Sequence, residues 1–455
     1  MKIVIVGDGK VGYALTKKLS HEGHDIIVID SNPQVLRQSM ELLDVMVVHG
    51  NGASLEVQEE ADVAQSDLLI AATSADEINL LCCVLARKLG CRHTIARVRN
   101  PEYNNQLRFL REELGLSMTI NPERAAAREI FHLLQFPSFL KRDTFAKGRV
   151  EVVELKIKEG SPLAGRRLDQ LQEATRVRVL ICAVEREGRV TIPTGRFTLR
   201  VGDKITVTAD NRDLAQLIKN LKIATQKIHN VMIIGGSRIA GYLAEDLLAS
   251  GVSVKIIEQK PERCEALSEA LPHALIINGD GSTQELLLAE GLADTDAIIT
   301  LTGIDEENLI ISMYADHVGV PKSITKVNRL EYAWVFKEKG IGSVVSPKLI
   351  TANDIVRYVR AMENTTGGSV ITLHRIVDDK AEALEFLVSP GARNLGLPLH
   401  KLTLKPNILI ACINRGGRII IPSGGDHIQE GDTVIVVTTS DQSIYDLNDI
   451  FLEEA

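Results

Sequence analysis

Cysteine is sparse in this chain and arranged for no chemistry. Cys82, Cys83, Cys91, Cys182, Cys264 and Cys412 form no C-x-x-C pair and no zinc spacing. Cys82 and Cys83 adjoin in a helical stretch, where neighbouring side chains point apart, so buried thiols are expected rather than a redox couple. No apolar run reaches the roughly 18–20 residues that span a bilayer, and Lys2 leads straight into Ile3–Val6 without the pattern of a secretory leader. Basic excess is missing too. The net charge of −8 argues against a nucleic-acid surface and against adhesion to anionic lipid. The expected setting is a reducing cytosol.

Catalytic patterns are equally scarce. There is no G-x-S-x-G, no H-E-x-x-H and no G-x-x-x-x-G-K-[ST], and the eleven histidines are scattered, none paired with an acid in both halves. A dehydrogenase needs an acid or base beside the nicotinamide and a domain that holds substrate. Binding without chemistry is therefore expected, with no catalytic residue and no metal.

What is present is written twice. Gly7 answers Gly235, an offset of 228 (235 − 7), and Asp30 answers Glu258 at the same spacing. HGNGAS (49–54) answers NGDGST (278–283), ATSADEINLL (72–81) answers LTGIDEENLI (301–310), and IARVRNPEY (95–103) answers ITKVNRLEY (324–332). INPERAAAREI (120–130) answers VSPKLITANDI (345–355), each with Asn or Ser as N-cap before a proline at the first helical position. Further on, EREGRVTIPTGRFTLRVGDKITV (185–207) answers NRGGRIIIPSGGDHIQEGDTVIV (414–436), the pattern of a small β-rich module.

Short apolar runs such as IVIV, DIIVID and DLLIAAT alternate with helical patterns, as in a parallel sheet covered on both faces. The expected fold is α/β: two Rossmann-like doubly wound parallel sheets, each followed by a small α+β module. The expected segments are 1–140, 141–228, 229–366 and 367–455, the last border falling at TTGGS (365–369).

Gly7-Asp8-Gly9-Lys10-Val11-Gly12 is a full G-x-G-x-x-G between strand and helix, answered by Asp30 at the end of the next strand. Gly7 permits the tight turn, Gly9 lets backbone approach a pyrophosphate, and Gly12 lets helix pack on strand. Asp30 would take ribose hydroxyls and repel a 2′-phosphate. Ser31, Asn32 and Pro33 supply no arginine to rescue one, so NAD(H) or another adenine nucleotide is favoured over NADP.

The second turn runs Gly235-Gly236-Ser237-Arg238-Ile239-Ala240 and keeps the acid as Glu258. Serine at the second glycine crowds a pyrophosphate without blocking it, which leaves open a second site or an empty structural copy. Arg97 and Arg99 end the fifth strand, with Lys326 and Asn328 as counterparts. Arg97 suits a phosphate, or an ion pair with Asp76 or Glu77. Thr73 and Ser74 suit a helix cap or a cofactor contact.

GDGKVG, Asp30, HGNGAS, ATSADEINLL and IARVRNPEY together resemble the KTN/RCK nucleotide-binding domain of potassium transport regulators, and RVTIPTG with VGDKI resembles the RCK C-terminal subdomain. Both occurring twice, without a membrane segment, is similar to the peripheral regulatory subunits of bacterial Trk potassium-uptake systems. The resemblance implies a cytoplasmic subunit peripheral to the membrane, a homo-oligomeric ring, usually tetrameric, beneath a potassium-translocating membrane subunit, with no insertion into the bilayer. Its ligands would be NAD+ or NADH and, in some members, ATP or ADP.

Carried over, the resemblance gives a first site of Gly7, Gly9, Gly12, Asp30, Asn51, Thr73 and Arg97, and a second of Gly235, Ser237, Glu258, Asp280, Thr302 and Lys326. Two other readings share these motifs: a soluble NAD-dependent oxidoreductase with duplicated Rossmann domains, and a subunit of a potassium efflux system. The helix after Asn121-Pro122, with apolar Ile130, Phe131, Leu133, Leu134 and Phe136 beside Glu123, Arg124 and Arg128, is expected to cross from large lobe to small and to offer its apolar face to a neighbour.

Overall fold

A computed structural model describes residues 1–104, 106–135, 141–145, 150–221, 227–329, 342–365, 370–377, 380–439, 444 and 446–452. The first lobe is a six-stranded parallel sheet of β1 (Lys2–Val6), β2 (Asp25–Asp30), β3 (Met46–His49), β4 (Leu68–Ala71), β5 (His93–Arg97) and β6 (Met118–Ile120). The order is β3-β2-β1-β4-β5-β6. Strands β1 and β4 connect away from each other, which opens a crevice at their carboxyl ends. The centre of the sheet is closed to water, with Ile3, Val4, Ile5, Leu68, Leu69 and Ile70 fully buried. At about 1.5–3 kcal/mol for each such side chain, these two strands hold the lobe together.

In the first small module, β7 (Lys141–Phe145), β8 (Val150–Lys156), β9 (Leu180–Arg186), β10 (Arg189–Thr191) and β11 (Lys204–Asp210) pair antiparallel in the order β10-β9-β11-β8-β7. A helix, Asn211–Asn220, follows, and Asp210 caps it by accepting the N–H groups of Arg212 and Asp213, both at 2.8 Å. The Gly-Asp turn has a structural reason. Asp203 is 1% exposed, and its carboxylate takes Arg186 Nε at 2.7 Å and the Arg200 N–H at 2.7 Å.

The second lobe repeats the first with β12 (Asn230–Ile234), β13 (Ser253–Glu258), β14 (Leu275–Asn278), β15 (Ala297–Thr300), β16 (Lys322–Lys326) and β17 (Ser343–Val345), ordered β14-β13-β12-β15-β16-β17 and parallel. The second module has β18 (Val370–Ile376), β19 (Ala381–Leu387), β20 (Ile408–Arg415), β21 (Arg418–Ile420) and β22 (Thr433–Thr439), ordered β18-β19-β22-β20-β21. Arg415 Nε meets Asp432 at 2.9 Å, repeating Arg186 with Asp203.

The segments gather by kind rather than by sequence. One compact unit holds Met1–Phe131 with His229–Val356, and the other holds His132–Ile228 with Arg357–Ala455. In the second unit a shared core joins Val150, Val152 and Cys182 of one module to Ala383, Cys412 and Ile435 of the other. All six cysteines are free and buried. Burial pushes the thiols of Cys82, Cys182 and Cys412 up to about 12, which leaves them unreactive.

The helix Pro122–Gln135 begins as its sequence indicates, the Asn121 side chain accepting the Arg124 N–H at 2.9 Å. Its counterpart Pro347–Thr365 starts without that cap, because the Ser346 hydroxyl is buried with no hydrogen-bond partner. Ile130, Leu133 and Leu134 are buried within the chain itself, so the face expected to meet a neighbour is covered there. Phe136, Leu330, Glu331, Tyr332 and residues 366–369 lie outside the described residues.

Candidate functional site

At the carboxyl edge of the first sheet lies a cleft of about 540 Å³, within the range of small-molecule sites. Of the residues singled out in the first half, Gly7, Gly9, Lys10, Val11, Asp30, Asn51, Thr73, Ser74 and Arg97 line it. The glycines divide the work as their spacing implies. Gly7 has φ +91°, and a Cβ there would lie 2.8 Å from Thr73 N. A Cβ on Gly12 would lie 1.8 Å from the Gly7 carbonyl oxygen, so this glycine is needed for helix-to-strand packing. Gly9 faces open space, with nothing within 4 Å of an added Cβ. Free backbone N–H groups of the helix Lys10–His21 begin at that point, and no side chain caps them.

Asp8 and Gly12 do not line the cleft. The Asp8 side chain turns inward and is 2% exposed. Its backbone N–H donates to Asp30 Oδ2 at 2.6 Å, and Asn32 N–H donates to Asp30 Oδ1 at 2.8 Å. These bonds fix the Asp30 carboxylate at the rim of the cleft. Asn51 is held by its own loop, Oδ1 accepting the Ala53 N–H at 3.0 Å.

The far wall is cationic. Arg97 bonds only weakly, to the carbonyls of Ala72 at 3.5 Å and Thr73 at 3.4 Å, and its Nε is buried without a partner. Burial, then the neighbouring Arg99, holds its guanidinium below the usual arginine range. The expected alternative, an ion pair to Asp76 or Glu77, is not formed among the described residues. Asp76 Oδ2 accepts the N–H groups of Arg99 and Asn100 at 2.8 and 2.7 Å, and Glu77 accepts the Tyr103 hydroxyl at 2.6 Å. A half-buried cation short of partners favours a bound anion.

Several residues of the site are not singled out by the sequence patterns. Ser31, Gly50 and Gly52 also line the cleft, and a Cβ on Gly52 would lie 2.1 Å from Val6 Cγ1. Asn79, fully buried, accepts Thr73 N–H at 2.8 Å and Thr73 O–H at 2.7 Å and donates to Arg97 O at 2.9 Å. Asn308 does the same for Thr302 N–H and Lys326 O, at 2.8 and 3.1 Å. The shared Asn in EINLL and EENLI carried that signal.

In the second lobe, Gly235 has φ +96°, and Gly236 N–H donates to Glu258 Oε2 at 2.6 Å, the same bond as Asp8 to Asp30. Ser237 caps its own helix, Oγ accepting the Ala240 N–H at 3.4 Å. Arg238 and Ile239 start that helix, and Ile239 is buried. Arg263, not expected from the pattern, donates to the Gly236 carbonyl at 2.6 Å. Asp280 accepts Ser282 N–H and O–H, which hold its carboxyl below the usual range. Lys326 Nζ donates to Thr302 O at 2.6 Å, and burial lowers its pKa.

The two carboxyl edges lie close enough for their charges to interact. Arg238 depresses Arg97 further, and Lys10 depresses Lys326. Glu123, at the start of the crossover helix, opposes both shifts and lies 3.8 Å from Arg99. The lobes are joined by Arg124, which reaches Asp246 at 3.1 Å and stacks 5.1 Å from the centre of the Tyr242 ring.

The family model of the TrkA-N domain matches residues 3–122 and 231–347, and that of the TrkA-C domain matches 152–222 and 383–451. The chain is 33% identical over 444 residues to Trk system potassium uptake protein TrkA homolog 1 of Methanosarcina mazei, covering 96% of this chain and 97% of that one. To the TrkA protein of Haemophilus influenzae it is 30% identical over 463 residues, covering 100% and 99%. The fold is that of the GsuK RCK domain, with TM-score 0.62 at 20% identity over 97% of this chain and 92% of that one. It also matches the GsuK channel bound to NAD, with TM-score 0.63 at 21% identity over 97% and 77%. Among the described residues no helix is long and apolar enough to cross a membrane. Duplicated lobes, duplicated modules and full-length similarity agree: the chain belongs to the TrkA family of Trk system potassium uptake proteins.

Proposed function

We infer that this chain is the cytosolic nucleotide-binding regulatory subunit of a Trk-type potassium uptake system, binding NAD+ or NADH in the first lobe without catalysing a reaction on it. The observation that carries the reading is the convergence of three features on one cleft: open backbone at Gly9, a fixed carboxylate at Asp30, and the under-partnered Arg97. Phosphates would lie between the helix N-terminus and Arg97, and the adenosine ribose on Asp30. The names of the relatives support the potassium uptake role, and the NAD-bound GsuK channel supports the ligand.

A ligand shifts a conformational equilibrium only by its different affinity for the two states. A phosphate neutralising Arg97 would weaken the hold of that cationic wall on Glu123. Glu123 begins the crossover helix, so site and helix would be linked. ATP and ADP fit the same cleft chemistry with more phosphate charge. The second turn, with Ser237 already used as a cap and Asp280 where the first lobe has Asn51, would bind more weakly. The working assembly would be a ring of copies docked on the cytoplasmic face of a potassium-translocating membrane subunit.

The test is potassium flux through that membrane subunit in proteoliposomes, with the chain added and NAD+, NADH, ATP or ADP varied, while absorbance at the NADH band reports turnover. Flux that depends on both chain and nucleotide, with no turnover, supports the reading. Nucleotide-independent flux, or consumption of NADH, contradicts it.

A further inference from the structure

We propose that nucleotide binding at the first turn is coupled to uptake of a proton by the carboxyl cluster beneath it, Asp8 with Ser39, Thr16 and Asp30, and that the second turn lacks this coupling. The proposal rests on the reading above, that the first turn binds a nucleotide.

Asp8 stands between Gly7 and Gly9, which both line the cleft, yet its carboxyl is enclosed behind the turn. Ser39, from the helix Pro33–Leu42, donates its O–H to Oδ2. Thr16, from the helix Lys10–His21, lies 3.4 Å from Oδ1 and divides its O–H between that oxygen and the Gly12 carbonyl at 3.0 Å. From β2, Asp30 acts on Asp8 by charge repulsion. Burial first, then the repulsion of Asp30, raises the Asp8 carboxyl to about 6 against the pull of the two hydroxyls.

An ionised Asp8 sets a negative charge under the same turn and helix start that a pyrophosphate would use. It opposes the incoming phosphates by Coulomb repulsion and offsets the positive end of the helix. A proton on Asp8 removes that opposition. Conversely, bound phosphates raise the pKa of Asp8 further, so the complex takes up a proton and affinity falls as pH rises through this range.

The second lobe is an internal control. The positions of Asp8 and Ser39 are occupied there by Gly236 and Leu267, and a Cβ on Gly236 would lie 2.6 Å from Leu267 Cδ1. Both members of the pair differ together, yet the turn keeps its 2.6 Å bond from backbone N–H to the following acid. A carboxyl is therefore not needed to build the turn.

The experiment is calorimetric titration of NAD+ into the full chain from pH 5.5 to 8, in two buffers of different ionisation heat, with Asp8→Asn and the double variant Asp8→Gly/Ser39→Leu alongside. The expected result is an affinity about three- to tenfold weaker at pH 8 than at pH 5.5. The buffer-dependent heat should report proton uptake, and both effects should vanish in the two variants. If Asp8→Asn does not fold, the double variant, which copies the second lobe, gives the same comparison. His49 stands at the rim, its Nε2 3.1 Å from Ser31 O. A pH dependence that survives both Asp8 variants and disappears in His49→Asn would overturn the proposal. Binding with neither pH dependence nor proton uptake would overturn it while leaving the nucleotide reading intact. No binding at any pH would overturn that reading and the proposal with it.

Discussion

Asn79 holds the ends of two strands together: it donates to the Arg97 carbonyl at 2.9 Å while accepting the Thr73 N–H at 2.8 Å. Both partners line the cleft, so the amide sets the distance between its floor and its cationic wall. Asn79→Ala takes away the side-chain partner of three part-buried backbone groups, Thr73 N–H, Thr73 O and Arg97 O. A loss of about 2–4 kcal/mol is expected in urea unfolding, together with weaker NAD+ binding. Unchanged stability would show that the amide is dispensable.

Gly9 and Gly12 separate binding from folding. Gly9→Ala adds a methyl to open space at a backbone φ of −68°, which alanine adopts freely. The melting temperature should stay within a degree or two while NAD+ affinity falls at least tenfold. Gly12→Ala drives a methyl to 1.8 Å from the Gly7 oxygen and should destabilise the fold itself. Thermal melts paired with titrations distinguish the two outcomes.

Arg124 bridges the lobes through Asp246 and the Tyr242 ring, and the arginine and the acid are about a quarter exposed. Arg124→Glu should cost about 1–2 kcal/mol. The exchange Arg124→Glu/Asp246→Arg should recover most of it, as read by urea unfolding of the full chain. No recovery would mean that the arginine acts by packing alone.

Asp8 gives a pH-dependent stability whose sign follows from its raised pKa. The native carboxyl at about 6 lies above the ordinary 3.8, so its unfavourable ionisation appears as pH rises from about 4 to 6 and persists above. Asp8→Asn should therefore stabilise the chain more at pH 7.5 than at pH 4.5. Urea midpoints at the two values check this, and an equal shift at both would contradict it.

The duplicated architecture was legible because G-x-G-x-x-G, the closing acid and the apolar strand runs all report local backbone geometry. The sixth strand of each lobe was not: MTI and SVV are only three residues long and too short to show a period. Asp8 stands inside the motif, and nothing in the pattern says that its side chain points inward, because that direction depends on the Ser39 and Thr16 hydroxyls that the helices bring to it. The pairing of lobe with lobe and module with module depends on contacts between segments more than a hundred residues apart, such as Asn121 with Tyr242 at 3.3 Å. Arg263 acts through the Gly236 carbonyl, and such a partner leaves no mark in a pattern of residue types, whereas Asn79 is marked only by its recurrence as Asn308.

The most direct measurement is calorimetric titration of NAD+ and NADH into the wild-type chain and into Gly9→Ala and Asp30→Ala, with NADH absorbance followed in the same samples. Saturable binding to wild type is expected, at least tenfold weaker in both variants, with no NADH consumed. Equal affinity in all three proteins would place the nucleotide elsewhere and overturn the assignment of the first cleft.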